Sequence, residues 1–394
     1  MNNDPVVIAS YARTPMGGFQ GALGSVKATD LGAVAISAAL QRARVPAELV
    51  ERVYMGCVLP AGLGQAPARQ AALGAGLPRS VEVTTVNKMC GSGMQAAIMA
   101  YDALTAASAV VIVAGGMESM TNAPYLLAKH RGGARIGHDV VKDSMYLDGL
   151  EDAYESGTLM GVFAERSAQR FEFSRADQDA YAIESLTRAQ QAIASGAFEE
   201  EIVRVEVTTR AGTTSVSIDE QPGNAKIDKI KGLKPAFVKD GTVTAANSSS
   251  ISDGAAALVL TRASVAAKLG LNVCARVLGT AGHAQEPAEF TSAPVPAMKK
   301  VLSKVGWNVS DVDLFEVNEA FAVVAMIAMR ELSIPHAKLN VHGGACALGH
   351  PIGASGARIV ATLIAALKRR GERRGVAGIC IGGGEATALA IELV

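Results

Sequence analysis

Short apolar segments alternate with segments of helical period along the first 120 residues of this 394-residue chain. The strand candidates are continuous runs rich in Val and Ile, which are typical of strands buried on both faces. They lie at residues 5–10, 52–59, 81–86 and 109–114, with helices predicted at 66–73 and 94–104. Because such strands need helices on either side, the pattern predicts an α/β fold with a largely parallel sheet covered on both faces.

The alternation is interrupted once and then repeats. Residues 121–250 contain polar loops and scattered helices, one of which starts with the capping-box residues Ser174 and Asp177. Two halves that each carry a reactive side chain in a glycine-rich turn before a helix indicate a weak internal duplication. The predicted domains are an N-terminal half over 1–120 completed by 251–272, an inserted loop domain over 121–250, and a C-terminal half over 273–394.

The turn VNKMCGSGMQ, residues 86–95, places Cys90 between a predicted strand and a predicted helix. A cysteine at a helix N-terminus lies at the positive end of the helix dipole, which predicts a lowered thiol pKa and a nucleophilic sulfur. The neighbouring glycines let an acyl group approach, and the Cys90 N–H is a candidate oxyanion donor. The alternative for a lone cysteine is a buried structural role.

Two more glycine-rich turns near the end of the chain carry reactive side chains. His350 lies at the centre of HGGACALGHPIGASGAR, and Cys380 ends an apolar run in GICIGGGEAT. Reactive groups at strand ends and helix starts suit a site built from loop tips on a rigid sheet. The three turns together therefore predict nucleophilic catalysis.

Charge and cysteine usage exclude several classes of function. The 37 basic residues balance 37 acidic ones, so no global field attracts nucleic acid or an anionic membrane. The five cysteines show no paired C-x-x-C spacing and the histidines show no metal spacing, so we predict reduced thiols and no metal site. The first residues lack a secretory pattern and no run of about 18 apolar residues occurs, so we expect a cytoplasmic protein.

These motifs resemble those of the thiolases, the acyl-CoA:acetyl-CoA C-acyltransferases, almost from end to end. The resemblance rests on the Cys90, His350 and Cys380 turns and on three further segments, which are RTPMGG from Arg13, AGGMESM from Ala114 and NEAF from Asn318. It implies two similar layered α/β/α halves in a five-layer αβαβα arrangement, with an inserted loop domain that covers CoA.

The resemblance also implies the reaction and a role for each residue. The reaction would be a ping-pong Claisen condensation of two acetyl-CoA molecules to acetoacetyl-CoA, with thiolysis as its reverse. Cys90 would be the acylated nucleophile, His350 would activate it, and Cys380 would move the α-proton. Asn318 would hold a water that forms one oxyanion hole with His350, and the N–H groups of Cys90 and Gly382 would form the second.

CoA would act as substrate and product rather than as a permanently bound cofactor. The resemblance implies partners limited to acetyl-CoA and other acyl-CoA molecules, and a homodimer or homotetramer. The residues expected to contact CoA are Met160, Lys226, Lys229, Ser249, Ala320 and Phe321.

Three alternatives stay open. Short-chain biosynthetic relatives carry a His-Met pair where this chain has Leu159 and Met160, and their phosphate-binding Arg has no clear counterpart here. A broader-chain degradative 3-ketoacyl-CoA thiolase of fatty-acid β-oxidation is therefore the first alternative. An acyl-carrier-protein condensing enzyme would use two histidines, so Cys380 and Asn318 argue against it. A non-catalytic lipid or CoA carrier would not need these intact groups.

Overall fold

The computed structural model describes residues 4–210 and 212–394. The strands are β1 (Val6–Arg13), β2 (Gly17–Gly18), β3 (Arg52–Gly56), β4 (Glu82–Val86), β5 (Val111–Ser119), β6 (Tyr125–Leu126), β7 (Lys142–Asp143), β8 (Val205–Thr209), β9 (Gly212–Val216), β10 (Ser252–Arg262), β11 (Ala275–Ala284), β12 (Leu314–Val317), β13 (Arg374–Ile381) and β14 (Glu385–Leu393). The α-helices are α1 (Ala28–Ala43), α2 (Pro67–Gly74), α3 (Ser92–Thr105), α4 (Met160–Arg170), α5 (Arg175–Ala194), α6 (Glu220–Asn224), α7 (Ala263–Leu269), α8 (Pro294–Val305), α9 (Ala322–Leu332), α10 (Ala345–Leu348) and α11 (Ser355–Arg370). Within this described part of the chain, none of the helices combines the length and the apolar character that crossing a bilayer requires.

The central sheet is mixed, so the prediction of a largely parallel sheet is wrong. Its strand order is β12-β13-β14-β11-β1-β10-β5-β3-β4, with β2 paired to β10. β3 runs parallel to β4 and β5, and β12 runs parallel to β13, but β1, β10, β11 and β14 run antiparallel to their neighbours. β10 is buried on both faces along almost its whole length. Burial on both faces gives a continuous apolar run whichever way a strand points, so the sequence could not distinguish the two directions.

The two halves of the sheet repeat one arrangement. In the first half, β1 and β10 pair antiparallel, β10 and β5 pair antiparallel, and β5 and β3 pair parallel. In the second half, β11 and β14 pair antiparallel, β14 and β13 pair antiparallel, and β13 and β12 pair parallel. A short antiparallel contact between β1 and β11, at Val7 with Arg276 and Ile8 with Ala275, joins the halves. The structure therefore shows the duplicated order that the sequence indicated.

Helices lie in three layers around the two halves. α1 and α2 cover the outside of the first half, and α8 and α9 cover the outside of the second. α3 and α11 pack against each other between the halves and also contact strands of both. The order is thus helix, sheet, helix, sheet, helix, as the five-layer prediction requires.

The backbones of α3 and α11 touch where two glycines meet. A Cβ on Gly93 would lie 2.8 Å from the backbone N of Ala357, and a Cβ on Gly356 would lie 2.3 Å from that of Met94. Both distances are shorter than real Cβ contacts, so any side chain here would push the helices apart. Because Cys90 and His350 lie in the turns before these helices, the glycine contact sets the spacing of those turns.

The segment between β5 and β10 carries α4 to α6 and two small sheets, β6-β7 and β8-β9. The predicted capping box at the start of α5 is confirmed. The Ser174 hydroxyl accepts from the Asp177 N–H at 3.1 Å, and the Asp177 carboxylate accepts from the Ser174 N–H at 2.9 Å. The boundaries of the three predicted domains stay a prediction.

A buried ion-pair network ties this segment to β1. Arg13 is fully buried and donates two hydrogen bonds to Asp219, at 2.7 and 2.8 Å, and one to Glu201 at 2.5 Å. Asp219 also accepts from the Met16 N–H, and Glu201 accepts from the Thr362 hydroxyl on α11. Since a guanidinium matches a carboxylate in two parallel bonds, Arg13 holds both acids at a junction of three parts of the fold.

We expect Arg13→Met to lower the free energy of unfolding by about 3–5 kcal/mol, because it leaves two carboxylates buried without their cation. Urea denaturation followed by circular dichroism measures the change. Arg204→Met is the matched control, since Arg204 is 75% exposed and its contact with Glu206 is 4.0 Å long. An equal change in the free energy of unfolding in the two variants would show that burial of the Arg13 ion pairs contributes nothing to stability.

Candidate active site

Cys90 lies in a tight turn between β4 and α3. Met89 has φ 45°, a left-handed conformation that few residues other than glycine adopt. A Cβ on Gly91 would lie 2.4 Å from the Ile381 side chain, so the turn packs closely against the segment that carries Cys380. The local backbone thus directs the Cys90 sulfur to the end of β13.

The pKa of the Cys90 thiol is raised to about 11, which contradicts the lowered value expected at a helix N-terminus. Burial is the main cause, and the N–H groups of Gly382 and of Cys90 itself oppose it by donating to the sulfur. The expectation is wrong because α3 begins only at Ser92, so Cys90 precedes the helix, and because loss of water outweighs the backbone donors. The resting group is therefore a neutral thiol.

His350 is buried and its ring is held on both sides. Its Nδ1 lies 2.5 Å from the Ser355 hydroxyl, which itself donates to the Pro351 carbonyl at 2.9 Å. Since that hydroxyl uses its proton on Pro351, it accepts from His350, which places the ring proton on Nδ1 and leaves a lone pair on Nε2. Nε2 lies 3.5 Å from the Asn318 side-chain nitrogen.

The pKa of His350 is lowered to about 3, first by burial and then by the positive charge of Arg358. The expectation that this imidazole titrates near neutrality in the resting protein is therefore wrong. Because both groups are neutral at rest, a transfer of the Cys90 proton to His350 has to accompany bond formation at the sulfur.

Cys380 ends β13 inside the protein. Burial raises the pKa of its thiol well above the usual range, and the nearby Cys90 adds to the rise, while the Ala320 N–H opposes it. The following turn needs glycine, because Gly384 has φ 86° and a Cβ there would lie 2.4 Å from the Gln285 carbonyl oxygen. This turn presents the Gly382 N–H to the sulfur of Cys90.

Four of the residues expected to contact CoA lie beside this turn or beside Asn318. A Cβ on Gly382 would lie 3.5 Å from the Met160 sulfur, so Met160 borders the oxyanion donor. The Ser249 N–H donates to the Ala320 carbonyl at 2.9 Å, and Phe321 pairs with the neighbouring Ser248. The structure thus brings Met160, Ser249, Ala320 and Phe321 to the catalytic turns.

Lys226 and Lys229 lie apart from those residues, in a cavity of about 360 Å³ that leads toward His350. Both lysines are exposed at its mouth. The same cavity is lined by Cys346 and by Ser250, whose carbonyl accepts from the His350 N–H at 3.2 Å. A long ligand with negative charge at one end could therefore reach from the lysines to the reactive side chains.

Two family models match almost the whole chain. The model for the thiolase N-terminal domain matches residues 6–264, and the model for the thiolase C-terminal domain matches residues 271–393. The chain belongs to the thiolase family. This thiolase is therefore an acyltransferase.

Individual relatives agree with the family models over their full lengths. This thiolase is 51% identical over 397 residues to acetyl-CoA acetyltransferase 2 of Arabidopsis thaliana, covering 100% of this chain and 98% of that one. It is 47% identical over 396 residues to the acetyl-CoA acetyltransferase of Schizosaccharomyces pombe, covering all of both chains. The crystal structure of the Bacillus anthracis acetyl-CoA acetyltransferase superposes with a TM-score of 0.97 at 40% identity, covering 99% of each chain.

Sequence reasoning assigned no role to four further polar residues of this thiolase site, which are Ser355, Arg358, Glu316 and Glu118. Glu118 accepts three backbone hydrogen bonds, from Val58 at 2.9 Å, Leu59 at 3.1 Å and Gly353 at 2.8 Å. Burial raises its pKa to about 7 despite these donors. Its carboxyl group thereby fastens the His350 turn to the end of β3. The only indication of a role for Glu118 in the sequence was its position as a charged residue within an otherwise apolar strand.

Proposed function

We propose that this thiolase is an acetyl-CoA C-acetyltransferase, which condenses two acetyl-CoA molecules to acetoacetyl-CoA and CoA and catalyses the reverse thiolysis. The observation that carries the proposal is the presence of two separate donor pairs beside the reactive turns. The N–H groups of Cys90 and Gly382 form the first pair, and the Asn318 amide forms the second with His350 once Nε2 has received a proton. A reaction that passes through two different oxyanions needs both pairs.

The first half-reaction transfers an acetyl group to Cys90. Sγ attacks the thioester carbonyl while its proton passes to His350 Nε2, whose lone pair is free. The carbonyl oxygen faces the N–H groups of Cys90 and Gly382 as it gains charge. The carbon–sulfur bond to CoA then breaks, and the departing sulfur takes the proton of Cys380.

The second half-reaction forms the carbon–carbon bond. The Cys380 thiolate takes an α-proton from a second acetyl-CoA, whose oxygen faces the protonated His350 and Asn318 Nδ2, the latter directly or through the water that the resemblance implies. The resulting carbon attacks the acetyl group on Cys90, and the Cys90 sulfur leaves and recovers its proton from His350. Every proton is returned, so the enzyme regains its resting neutral state and the sequence can run in either direction.

A second candidate is the broader-chain degradative activity, which Leu159 favours. Leu159 immediately precedes α4, next to Met160 and the Gly382 turn. An aliphatic side chain at this wall would tolerate a longer acyl group better than a polar ring.

The kcat/KM for thiolysis of acetoacetyl-CoA, compared with that of a longer 3-ketoacyl-CoA, separates the candidates. We expect the four-carbon substrate to be preferred by at least about tenfold, the scale of a contact worth 1–3 kcal/mol. Comparable values would favour the degradative enzyme instead. If neither substrate were turned over, the remaining hypothesis would be a non-catalytic lipid or CoA carrier.

We also propose that the protein is a cytoplasmic homodimer or homotetramer that acts on acetyl-CoA in lipid metabolism. All five cysteines are free, which suits a reducing compartment. In the described sheet β4 is an edge strand, and an unpaired edge beside the Cys90 turn suits contact with a second copy. Light scattering of the purified protein that gave the 40.5 kDa mass of one chain would contradict the oligomer.

A further inference from the structure

An arginine and a glutamate lie together in the core behind the Asn318 amide. Arg358 and Glu316 are each only 1% exposed, and Arg358 Nη1 lies 3.6 Å from Glu316 Oε2. A second nitrogen of the same guanidinium, Nη2, donates to Asn318 Oδ1 at 3.4 Å. Asn318 Nδ2 then faces His350 Nε2. The chain of contacts runs from Glu316 through Arg358 and Asn318 to His350.

The sequence spacing explains how these groups meet. Glu316 lies in β12 and Asn318 follows the strand two positions later, so their side chains leave the backbone on the same side. Ser355 and Arg358 lie three positions apart on α11 and therefore share one face of that helix. One turn of α11 thus contacts both oxyanion groups, through Ser355 to His350 Nδ1 and through Arg358 to Asn318 Oδ1.

We propose that Arg358, held by Glu316, is a positioning residue that fixes the Asn318 amide with its nitrogen toward His350. The reason is chemical, because a guanidinium only donates hydrogen bonds and an amide has one accepting and one donating end. The oxygen of Asn318 must therefore face Arg358, and its nitrogen must face the opposite way. The backbone of Asn318 is held independently, by the hydrogen bond from its N–H to the Gly378 carbonyl at 3.0 Å.

This orientation matters for one half-reaction, and the inference here rests on the proposed function. The oxygen of the second acetyl-CoA needs a donor as it becomes negative, and Asn318 offers one only through Nδ2. Without Arg358 the amide can turn its oxygen toward His350. The amide oxygen would then repel the negative charge that develops on the substrate oxygen. Acetylation of Cys90 uses the Cys90 and Gly382 donors instead, so it does not depend on this orientation.

The test uses Arg358→Met in the full-length protein. We expect kcat for condensation to fall about a hundredfold, the scale for misplacing a group at a reacting centre. We expect KM for acetyl-CoA to stay near wild type. The rate of acetyl-Cys90 formation, read by mass spectrometry, should change far less than kcat for condensation, because loss of the guanidinium only raises the pKa of the base His350. Arg370→Met is the matched control on the same helix, because Arg370 is 43% exposed and its ion pair is with Glu372, just beyond the helix, and it should match wild type in every measurement.

A double-mutant cycle with Asn318→Ala separates positioning from general support of the core. If Arg358 acts through Asn318, removing it from the Asn318→Ala variant costs little further activity. Two losses that add in full would overturn the proposal, as would a folded Arg358→Met variant with the wild-type kcat.

A paired variant guards against misfolding caused by an uncompensated charge. Burial raises the pKa of Glu316 to about 8 even though Arg358 opposes the rise, so this carboxyl stays protonated at neutral pH all the more when Arg358 is gone. Arg358→Met combined with Glu316→Gln removes the guanidinium together with the ionisable carboxyl and should show the same loss of condensation. Wild-type condensation in this pair would overturn the proposal. Failure of the wild-type protein to acetylate Cys90 would instead overturn the proposed function.

Discussion

Replacing Cys90 by alanine is expected to abolish acyl transfer in both directions. Loss of a nucleophile that acts with its base costs on the order of 10⁶-fold in kcat in enzymes of comparable design. Burial raises the pKa of the neighbouring Cys380 thiol well above its usual range, even though the N–H groups of Cys380 and Ala320 donate to its sulfur, so we do not expect it to replace Cys90 as nucleophile. Incubation with acetyl-CoA followed by peptide mass analysis should place the acetyl mark on Cys90 alone in the wild-type protein.

Cys274→Ala is the control for this experiment. Cys274 lies before β11 with its sulfur 3.3 Å from the Ala9 carbonyl oxygen, outside the turns that form the site. This variant should keep both the mark and the activity. A stable acetyl mark on Cys380 in the wild-type protein, or full activity in Cys90→Ala, would contradict the assignment of Cys90 as nucleophile.

Replacing Cys380 by alanine is expected to separate the two half-reactions. Removing an α-proton needs a base, and losing that base costs about two to four orders of magnitude in condensation. Exchange of acetyl between CoA and Cys90 should persist, because Cys90, His350 and the Gly382 N–H all remain and CoA can leave as a thiolate. Deuterium washout from labelled acetyl-CoA measures removal of the α-proton, and acetyl-enzyme formation measures transfer of acetyl to Cys90.

Both measurements belong on the same preparation of the Cys380→Ala variant. Washout that persisted while acetylation was lost would reverse the roles of Cys90 and Cys380. Cys380→Ser is a matched comparison, because serine has a volume similar to that of cysteine. We expect this variant to restore little of the deuterium washout, because a serine hydroxyl is a weaker acid than a thiol and is rarely ionised near neutral pH.

The sequence predicted the layers of this fold well and the strand directions poorly. Alternating apolar strands and helices determined which elements form, and glycine-rich turns showed where the two halves repeat. The direction of β10 and β14 depends on how the chain returns to the sheet, which residue periodicity does not record. A strand buried on both faces reads the same in either direction.

The sequence identified the groups placed at turns but not the groups that support them. Cys90, His350 and Cys380 each lie within two residues of a glycine, so their surroundings were visible in the sequence. Arg358 lies far from Asn318 along the chain, and its contact with that amide exists only after α11 has packed beside β12. The direction of the Cys90 and His350 pKa shifts was also missed, because the degree of burial arises from tertiary packing.

The contact between Gly93 and Gly356 also limits how this enzyme can evolve. Neither position can accept even a methyl group without separating the helices that carry the nucleophile turn and the base turn. A substitution at either glycine would therefore need a compensating change elsewhere to keep the two turns in place. Residues that line the cavity at Lys226 and Lys229 lie outside this constraint. Substrate preference can consequently diverge among descendants while the chemistry they inherit stays the same.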